Sequence, residues 1–210
     1  MDEKGNEVLT YLEGEVLADP AWQPGQPTPW PSWAQSNDAL AATGRLLREL
    51  HAAAGTFRPS DPVWKQYDWP VLVDEEIVCH GDIGPHNTVY QDGLPVAFID
   101  WDSVRPDLPL IEFGNAAWRF VPFGDERYFA ASGFRKVPSL ADRLALFATA
   151  YGVTDRGQVL WALQHSMQRS VETFRQWPLN AAGAALALRF VAGQLEWLAA
   201  NSDGLVAGLD

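Results

Sequence analysis

The sequence is poor in cysteine and in positive charge, and these two shortages exclude several classes of protein. Its single cysteine, Cys79, excludes an internal disulfide and fits the reducing conditions of the cytoplasm. Lysine and arginine together number 15 against 27 acidic residues, which gives a formal net charge of −12. This charge argues against a nucleic-acid partner, because the phosphates of DNA and RNA require a basic surface.

Long apolar runs are also missing. No run approaches the roughly 20 residues that cross a bilayer, and the first residues, MDEKGNEV, are acidic where a signal peptide would be basic and then apolar. We therefore expect a cytoplasmic protein without a membrane partner. The acidic composition suits a small cationic substrate, and it is equally compatible with a role in solubility alone.

Helix signals dominate the rest of the chain. With 210 residues, of which 47% are hydrophobic, the chain can bury one full core, so a single globular unit is the default. Capping residues and apolar periodicity predict amphipathic helices. Their expected limits are Ser36 or Asn37 to Ala54, Leu110 to Phe120, 140–152, Thr154 or Asp155 to about Trp177, and Asn180 to about Gly204.

Most of the polar chemistry is concentrated between Cys79 and Asp102, in the stretch CHGDIGPHNTVYQDGLPVAFIDWD. Residues 88–90 and 94–99 read as two strands joined by a tight Asp92-Gly93 turn, since Asp-Gly supplies the positive φ that a two-residue hairpin loop needs. Cys79 itself reads as a small buried apolar residue rather than a nucleophile.

A hairpin of this kind brings its two outer ends together. Asp82 and Asn87 would then lie near Asp100, with three oxygen-bearing side chains at one rim. Mg²⁺ prefers such oxygen ligands, above all where a substrate phosphate completes the coordination shell. The stretch therefore predicts a site for a divalent ion and a phosphate.

The spacing His80-x-Asp82-x-x-x-x-Asn87 has the register of the kinase catalytic loop. Together with Ile99-Asp100-Trp-Asp102, it resembles the aminoglycoside phosphotransferase and choline kinase family, which writes HGDxxxxN followed by IDW or IDF. The resemblance implies that Asp82 is the catalytic base, with His80 beside it as a brace of the loop. It implies that Asn87 and Asp100 bind Mg²⁺ and the nucleotide phosphates. Asp102 would be a second metal ligand or a contact for a substrate ammonium group.

Residues 109–116, PLIEFGNA, resemble the D-P-x-x-D-L-A segment that follows in the family. Glu112 stands where the family usually has Asp, and the resemblance gives it structural support of the catalytic-loop backbone. The later helices form the substrate side in the family, so Glu172, Glu196 and Trp197 are candidate contacts there. Surface salt bridges are an equally good interpretation of the two glutamates.

Two further histidines, His51 and His86, are candidates for a structural or functional role. His51 falls on the apolar side of the first helix, so we expect it to be hydrogen-bonded in the core. His86 is open to two interpretations, a contact with nucleotide or substrate and a half-exposed loop residue.

The segment from Glu7 to Leu12 reads as a strand that ends at Gly14. By the resemblance it is the hinge between kinase lobes, with Thr10, Tyr11 and Leu12 offering backbone groups to the adenine; an ordinary edge strand is the alternative. No G-x-G-x-x-G occurs in the sequence, and no lysine is suitably placed for a phosphate. We therefore expect a chain shortened at its N-terminus, or a protein that works without most of the N-terminal lobe.

The expected fold is α+β, namely the mainly helical C-terminal lobe of a protein-kinase-like fold with a short hinge strand and a catalytic β-hairpin. The implied division is 1–16 for the hinge remnant, 17–73 for a linker and helix, 74–120 for the catalytic core and 121–210 for a helical substrate subdomain.

The expected function is ATP-dependent transfer of a phosphoryl group to a hydroxyl of a small, cationic molecule, with Mg²⁺ as cofactor. GTP in place of ATP stays open, as do aminoglycosides, choline-like amines, amino alcohols and sugars as acceptors. A non-catalytic kinase-like binding module is the main alternative. A metal-dependent phosphohydrolase is weaker, because such sites usually use more His and Asp ligands than this chain offers.

Overall fold

The computed structural model describes residues 3–4, 8–17, 29–60, 62, 64, 73–124, 126–176 and 181–210. In chain order its elements are α1 (Asn37–Ala54), β1 (Ile77–Cys79), β2 (Thr88–Gln91), β3 (Leu94–Phe98), β4 (Arg105–Asp107), α2 (Pro109–Phe120), α3 (Glu126–Ala131), α4 (Leu140–Tyr151), α5 (Arg156–Gln176) and α6 (Ala181–Leu205). Single 3₁₀ turns cover Pro85–Asn87 and Trp101–Ser103. The fold is α+β and mainly helical, as predicted.

The helix limits follow the capping residues in the sequence. The Ser36 hydroxyl accepts a hydrogen bond from Ala39 N at 3.1 Å and starts α1. Ser139 starts α4 in the same way, and Gly152, with φ of +105°, ends it in the left-handed region that glycine adopts without strain. The predicted starts and ends of these helices are confirmed.

The core forms where α2 packs on α5 and α1 packs on α4. Phe113 in α2 is fully buried beside Phe147 of α4, and Leu47, Leu163 and Val191 bring α1, α5 and α6 into the same cluster. Among the described residues, no helix is both long and apolar enough to cross a membrane.

The predicted hairpin is present. Strands β2 and β3 pair antiparallel with Thr88 opposite Phe98, and Asp92 and Gly93 close the turn with φ of +50° and +77°. Two successive positive φ values give the twist that flanking strands require. Helix α1 packs against β3, so the hairpin is held on the helical layer.

A second antiparallel pair was not predicted. Strands β1 and β4 have three residues each, with Ile77 opposite Asp107 and Cys79 opposite Arg105. The sequence Arg-Pro-Asp of β4 has no β-propensity, so only the tertiary contact reveals it. Buried Cys79 places its Sγ 3.6 Å from the Asp107 carbonyl oxygen, and burial, followed by the nearby carboxylates of Glu112 and Asp107, raises the pKa of its thiol.

The predicted strand near the start of the chain is wrong over its described residues. Residues 8–13, which include Thr10, Tyr11 and Leu12, form no strand. They are exposed, and the hydrogen bond found for their backbone in the described part of the chain comes from a side chain, Gln91 Nε2, to Glu13 O at 2.7 Å. Only Glu15 pairs, through a single bridge to Tyr90. The short helix α3 is not among the predicted helices. Glu7 and large parts of the predicted linker, residues 18–28 and 65–72, lie outside the described residues.

Gly114 and Gly193 provide a matched test of the packing between α2 and α5. A Cβ at Gly114 would overlap the Ala162 carbonyl, whereas a Cβ at Gly193 in α6 meets nothing within 4 Å. We expect Gly114→Ala to lower the free energy of unfolding by about 1–3 kcal/mol through overpacking. Gly193→Ala should raise it by about 0.5–1 kcal/mol through backbone entropy. Urea unfolding of both variants measures this, and equal shifts would contradict the assigned contact.

Candidate active site

Glu112, the fully buried acid at the start of α2, holds the backbone of the loop that carries Asp82. Its Oε1 accepts from Gly81 N at 2.6 Å, and its Oε2 accepts from His80 N at 3.2 Å. Glu112 stands where the family usually has Asp. Its side chain, one methylene longer than that of Asp, reaches both N–H groups.

His51 supports Glu112 from the other side. Its Nε2 lies 3.0 Å from Glu112 Oε2, and its Nδ1 lies 2.7 Å from the Tyr151 hydroxyl. Burial raises the pKa of Glu112, but the hydrogen bonds and charge from His51 and the Gly81 N–H outweigh it, so the net direction is downward. Glu112 is thus an ionised brace, and His51 is hydrogen-bonded in the core as predicted.

Gly81 is required by the space behind the loop as well as by its φ of +85°. A Cβ there would overlap the Ser103 carbonyl oxygen and come within 2.5 Å of Arg105 Nη1. That Nη1 donates to Gly81 O at 3.0 Å. The unpredicted strand pair β1–β4 therefore fixes the loop, since Arg105 lies in β4.

His80 joins the loop to the end of the hairpin. It is completely buried, its Nε2–H donates to Ile99 O at 2.8 Å, and its Nδ1 accepts from Asp82 N at 3.3 Å. The Trp101 ring lies 4.6 Å from the imidazole, centroid to centroid. Because both ring nitrogens are engaged, His80 acts as a brace between Asp82 and the residue before Asp100.

The Asp82 carboxylate is surrounded by donors. Its Oδ1 lies 3.0 Å from Arg119 Nη2, and its Oδ2 lies 3.1 Å from Asn87 Nδ2 and 3.3 Å from His86 Nε2. Burial raises the pKa of Asp82, but the Arg119 guanidinium and then His86 outweigh it and lower the pKa to about 2. Asp82 is therefore ionised at neutral pH.

Asn87 is buried and points its amide nitrogen at Asp82. Nδ2 donates both to Asp82 O, at 3.0 Å, and to Asp82 Oδ2, which turns the amide oxygen of Asn87 away from Asp82. Ile99 N donates to Asn87 O at 2.9 Å, so the backbone joins Asn87 to the residue before Asp100. The structure thus brings Asp82 and Asn87 into direct contact. Asp100 is the residue after Ile99, whose N–H bonds to the Asn87 carbonyl.

Asp100 and Asp102 are both exposed. Asp100 has left-handed φ and ψ of 63° and 69°, a conformation that Asp tolerates better than most residues. Asp102 lies in the turn that follows. Within the described ranges, no group of three or more His, Cys, Asp or Glu side chains could hold a metal ion.

The predicted substrate residues lie elsewhere. Glu172 is exposed and pairs with Arg169 at 3.5 Å, and Glu196 is exposed on α6. The half-buried Trp197 ring stacks on Phe123 at 5.2 Å. No hydrogen bond, ion pair or ring contact is found between these three residues and residues 80–87 in the described part of the chain, and their part in substrate binding stays a prediction. The nucleotide contacts assigned to Thr10–Leu12 also stay predictions.

Sequence reasoning missed Arg119, the residue that contacts Asp82 from α2. Its signal is the spacing from Glu112, because seven residues are two helical turns and place both side chains on one face. Once Glu112 is expected to face the catalytic loop, Arg119 is expected to face it too.

The loop, the hairpin and the first turns of α2 fall within residues 61–147, which match the sequence model described as the phosphotransferase enzyme family. The predicted resemblance to the phosphotransferase enzyme family is confirmed. The trifolitoxin immunity protein of Rhizobium leguminosarum bv. trifolii is 31% identical over 155 residues, or 73% of this chain. The chain spans about half of that relative, 54% of its length.

Among solved structures of phosphotransferases, the amicoumacin kinase hAmiN, in complex with AMP-PNP, Ca²⁺ and Ami, is similar at 15% identity and a TM-score of 0.40. That comparison covers 83% of this chain and 63% of the kinase.

Glu112→Gln tests the brace. Losing the charge that holds two N–H groups and His51 should lower the free energy of unfolding by about 3 kcal/mol at pH 7 and speed hydrogen exchange at His80 and Gly81. The folded pKa of Glu112 is below its ordinary 4.5, so its stabilisation is full above pH 4.5 and disappears as pH falls through the folded pKa. The difference between wild type and variant should therefore shrink in acid.

Exposed Glu49 in α1 provides the control, since Glu49→Gln makes the same chemical change without a buried partner. Denaturant unfolding and hydrogen exchange of both variants measure the effect. Equal stability of the two variants would contradict the brace.

Proposed function

We propose that this chain carries the phosphoryl-transfer site of an ATP-dependent phosphotransferase that acts on a hydroxyl of a small molecule. The observation that carries the proposal is the contact between Asp82 and Asn87 beside the strand end that leads to Asp100, in the register of a kinase catalytic loop. The family match over residues 61–147 supports it.

Asp82 would orient the acceptor hydroxyl and take its proton late in the step. Phosphoryl transfer makes little demand on a strong base, because its transition state is loose and most of the catalysis is positioning and charge stabilisation. A carboxylate with a pKa of about 2 fits this role, since it stays ionised and accepts hydrogen bonds at any physiological pH. His80 would act through Asp82, by fixing its backbone N–H.

Asn87 and Asp100 would hold Mg²⁺, with Asp102 as a further ligand. An amide oxygen and one or two carboxylates fit this ion, which keeps several waters and takes its remaining ligands from substrate phosphates. The lack of a self-sufficient cluster of acids and histidines in the described residues agrees with such a shared site. When bound, the ion would neutralise the charge of the nucleotide phosphates.

The acceptor is proposed to be a small hydroxylated molecule. The net charge of −12 favours a cationic one, such as an aminoglycoside, a choline-like amine or an amino alcohol. The relative is named for immunity to trifolitoxin, so toxins belong in any panel of acceptors.

A kinase-like module that binds a ligand without transferring phosphate is the second candidate. The observation that favours it is that both oxygens of the Asp82 carboxylate already have partners, Arg119 on one side and Asn87 with His86 on the other. Consumption of ATP separates the two candidates.

Asp82→Asn should abolish transfer while leaving the affinity for nucleotide within about threefold of wild type, because Asp82 serves the acceptor and not the nucleotide. The assay follows phosphorylated product by ³¹P NMR with ATP, Mg²⁺ and a panel of aminoglycosides, amines, sugars and trifolitoxin. Asp92→Asn, in the hairpin turn, removes an exposed carboxylate from the same region and should retain activity. Undiminished turnover in Asp82→Asn would remove Asp82 from the mechanism.

Asp100→Asn should shift the Mg²⁺ dependence of nucleotide binding to higher concentration, because a neutral amide is a weaker ligand for a hard cation. Calorimetric titration of Mg²⁺·AMP-PNP measures this, and addition of EDTA should abolish binding by the wild type. Asp92→Asn is again the control. An unchanged Mg²⁺ requirement in Asp100→Asn would move the metal away from this residue.

A further inference from the structure

The catalytic loop lacks a cation of its own. From Asp82 to Asn87 it reads D-I-G-P-H-N, with no lysine or arginine. Transfer of a phosphoryl group spreads negative charge over three oxygens, and enzymes place cations where that charge develops. The nearest guanidinium comes from outside the loop, because Arg119 Nη2 lies 3.0 Å from Asp82 Oδ1.

Arg119 faces the same solvent-open side as Asp82. The exposed fraction of its side chain is 29%, against 26% for Asp82 and 40% for His86, while Asn87 beneath them is buried. A molecule that reaches Asp82 from solvent would therefore meet Arg119 at the same time.

Gly84 makes the approach of these side chains possible. A Cβ at Gly84 would lie 2.7 Å from the His86 ring and 3.2 Å from Arg119 Cδ. Its φ of −169° is ordinary extended backbone, so the constraint is space and not conformation. The loop is thus built to admit the Arg119 side chain beside Asp82.

Arg119 also has hydrogen-bonding capacity left. A guanidinium carries five N–H donors, and the ion pair found for them among the described residues joins Nη2 to Asp82 Oδ1. Arginine binds phosphate oxygens through such donors more specifically than lysine does.

We propose that Arg119 is a second catalytic residue, which donates hydrogen bonds to the phosphoryl group during its transfer and supplies the positive charge that the catalytic loop lacks. This inference rests on the proposed function. In the step, the acceptor oxygen forms a bond to the γ-phosphorus, and the bond from that phosphorus to the bridging oxygen breaks with its electron pair left on ADP. The hydroxyl proton passes to Asp82.

The first test compares the affinity of the protein for Mg²⁺·AMP-PNP with its affinity for Mg²⁺·ADP. The ratio of the two affinities reports contacts with the γ-phosphate, because only AMP-PNP carries one. Arg119→Met should reduce this ratio about tenfold or more, and Arg119→Lys should fall between Arg119→Met and wild type because it keeps the charge and loses the fork. Arg189→Met, which removes an exposed arginine from α6, should leave the ratio unchanged. An unchanged ratio in Arg119→Met and Arg119→Lys would overturn the inference.

The second test is the rate of ATP consumption with Mg²⁺·ATP, with water or any acceptor from the panel. We expect Arg119→Met to lower turnover on the order of 10²-fold, and Arg119→Lys to recover part of that loss because it keeps the positive charge. If Arg119→Met does not fold, Arg119→Lys and Arg119→Gln decide. Turnover within twofold of wild type in these variants would overturn the inference about Arg119 and leave the proposed function standing. A wild type that neither binds nucleotide nor consumes ATP would overturn the proposed function, and the inference with it.

Discussion

The bond between a buried carboxylate and the backbone of a tight loop is the constraint on which this structure depends. Glu112 can remain ionised in the core only because His51 and two loop N–H groups compensate the loss of water. In return, the loop can take up the positive φ at Gly81 without leaving its N–H groups unpaired. Helices α1 and α2 thus hold one short loop in a fixed conformation, and this loop positions the charge of Asp82.

The sequence predicted the parts of the fold whose causes are local. The hairpin follows from the Asp92-Gly93 turn, and the starts of α1 and α4 follow from Ser36 and Ser139, because each cause lies within four residues of its effect. The strand pair β1–β4 could not be found in this way. Its β4 member, Arg-Pro-Asp, pairs only because the chain returns to Cys79 after the hairpin. The strand expected at 8–12 failed for the converse reason, since an apolar pattern without a paired neighbour forms no ladder.

The residues of the candidate site also divide into those that could be predicted from the sequence and those that could not. Asp82 and Asn87 were predictable because their spacing fixes their contact, and Glu112 was predictable once the family resemblance supplied its partner loop. Arg119 was not predictable. The contact of an arginine two turns along a helix can be inferred only when the loop that the helix faces is known. The net charge of the chain was also a poor guide to the charges around one residue. The acidic composition of the whole chain did not predict that Asp82 has a cation, Arg119, as its nearest charged neighbour.

The lone cysteine has a practical consequence for anyone who handles this protein. Cys79 immediately precedes the loop, its side chain is enclosed between β4 and α2, and the raised pKa of its thiol keeps it protonated. Maleimides and similar dyes react with thiolate, so the native chain should resist labelling. The speed at which label is finally incorporated would then report how often the strand pair that anchors the loop separates, without any engineered probe.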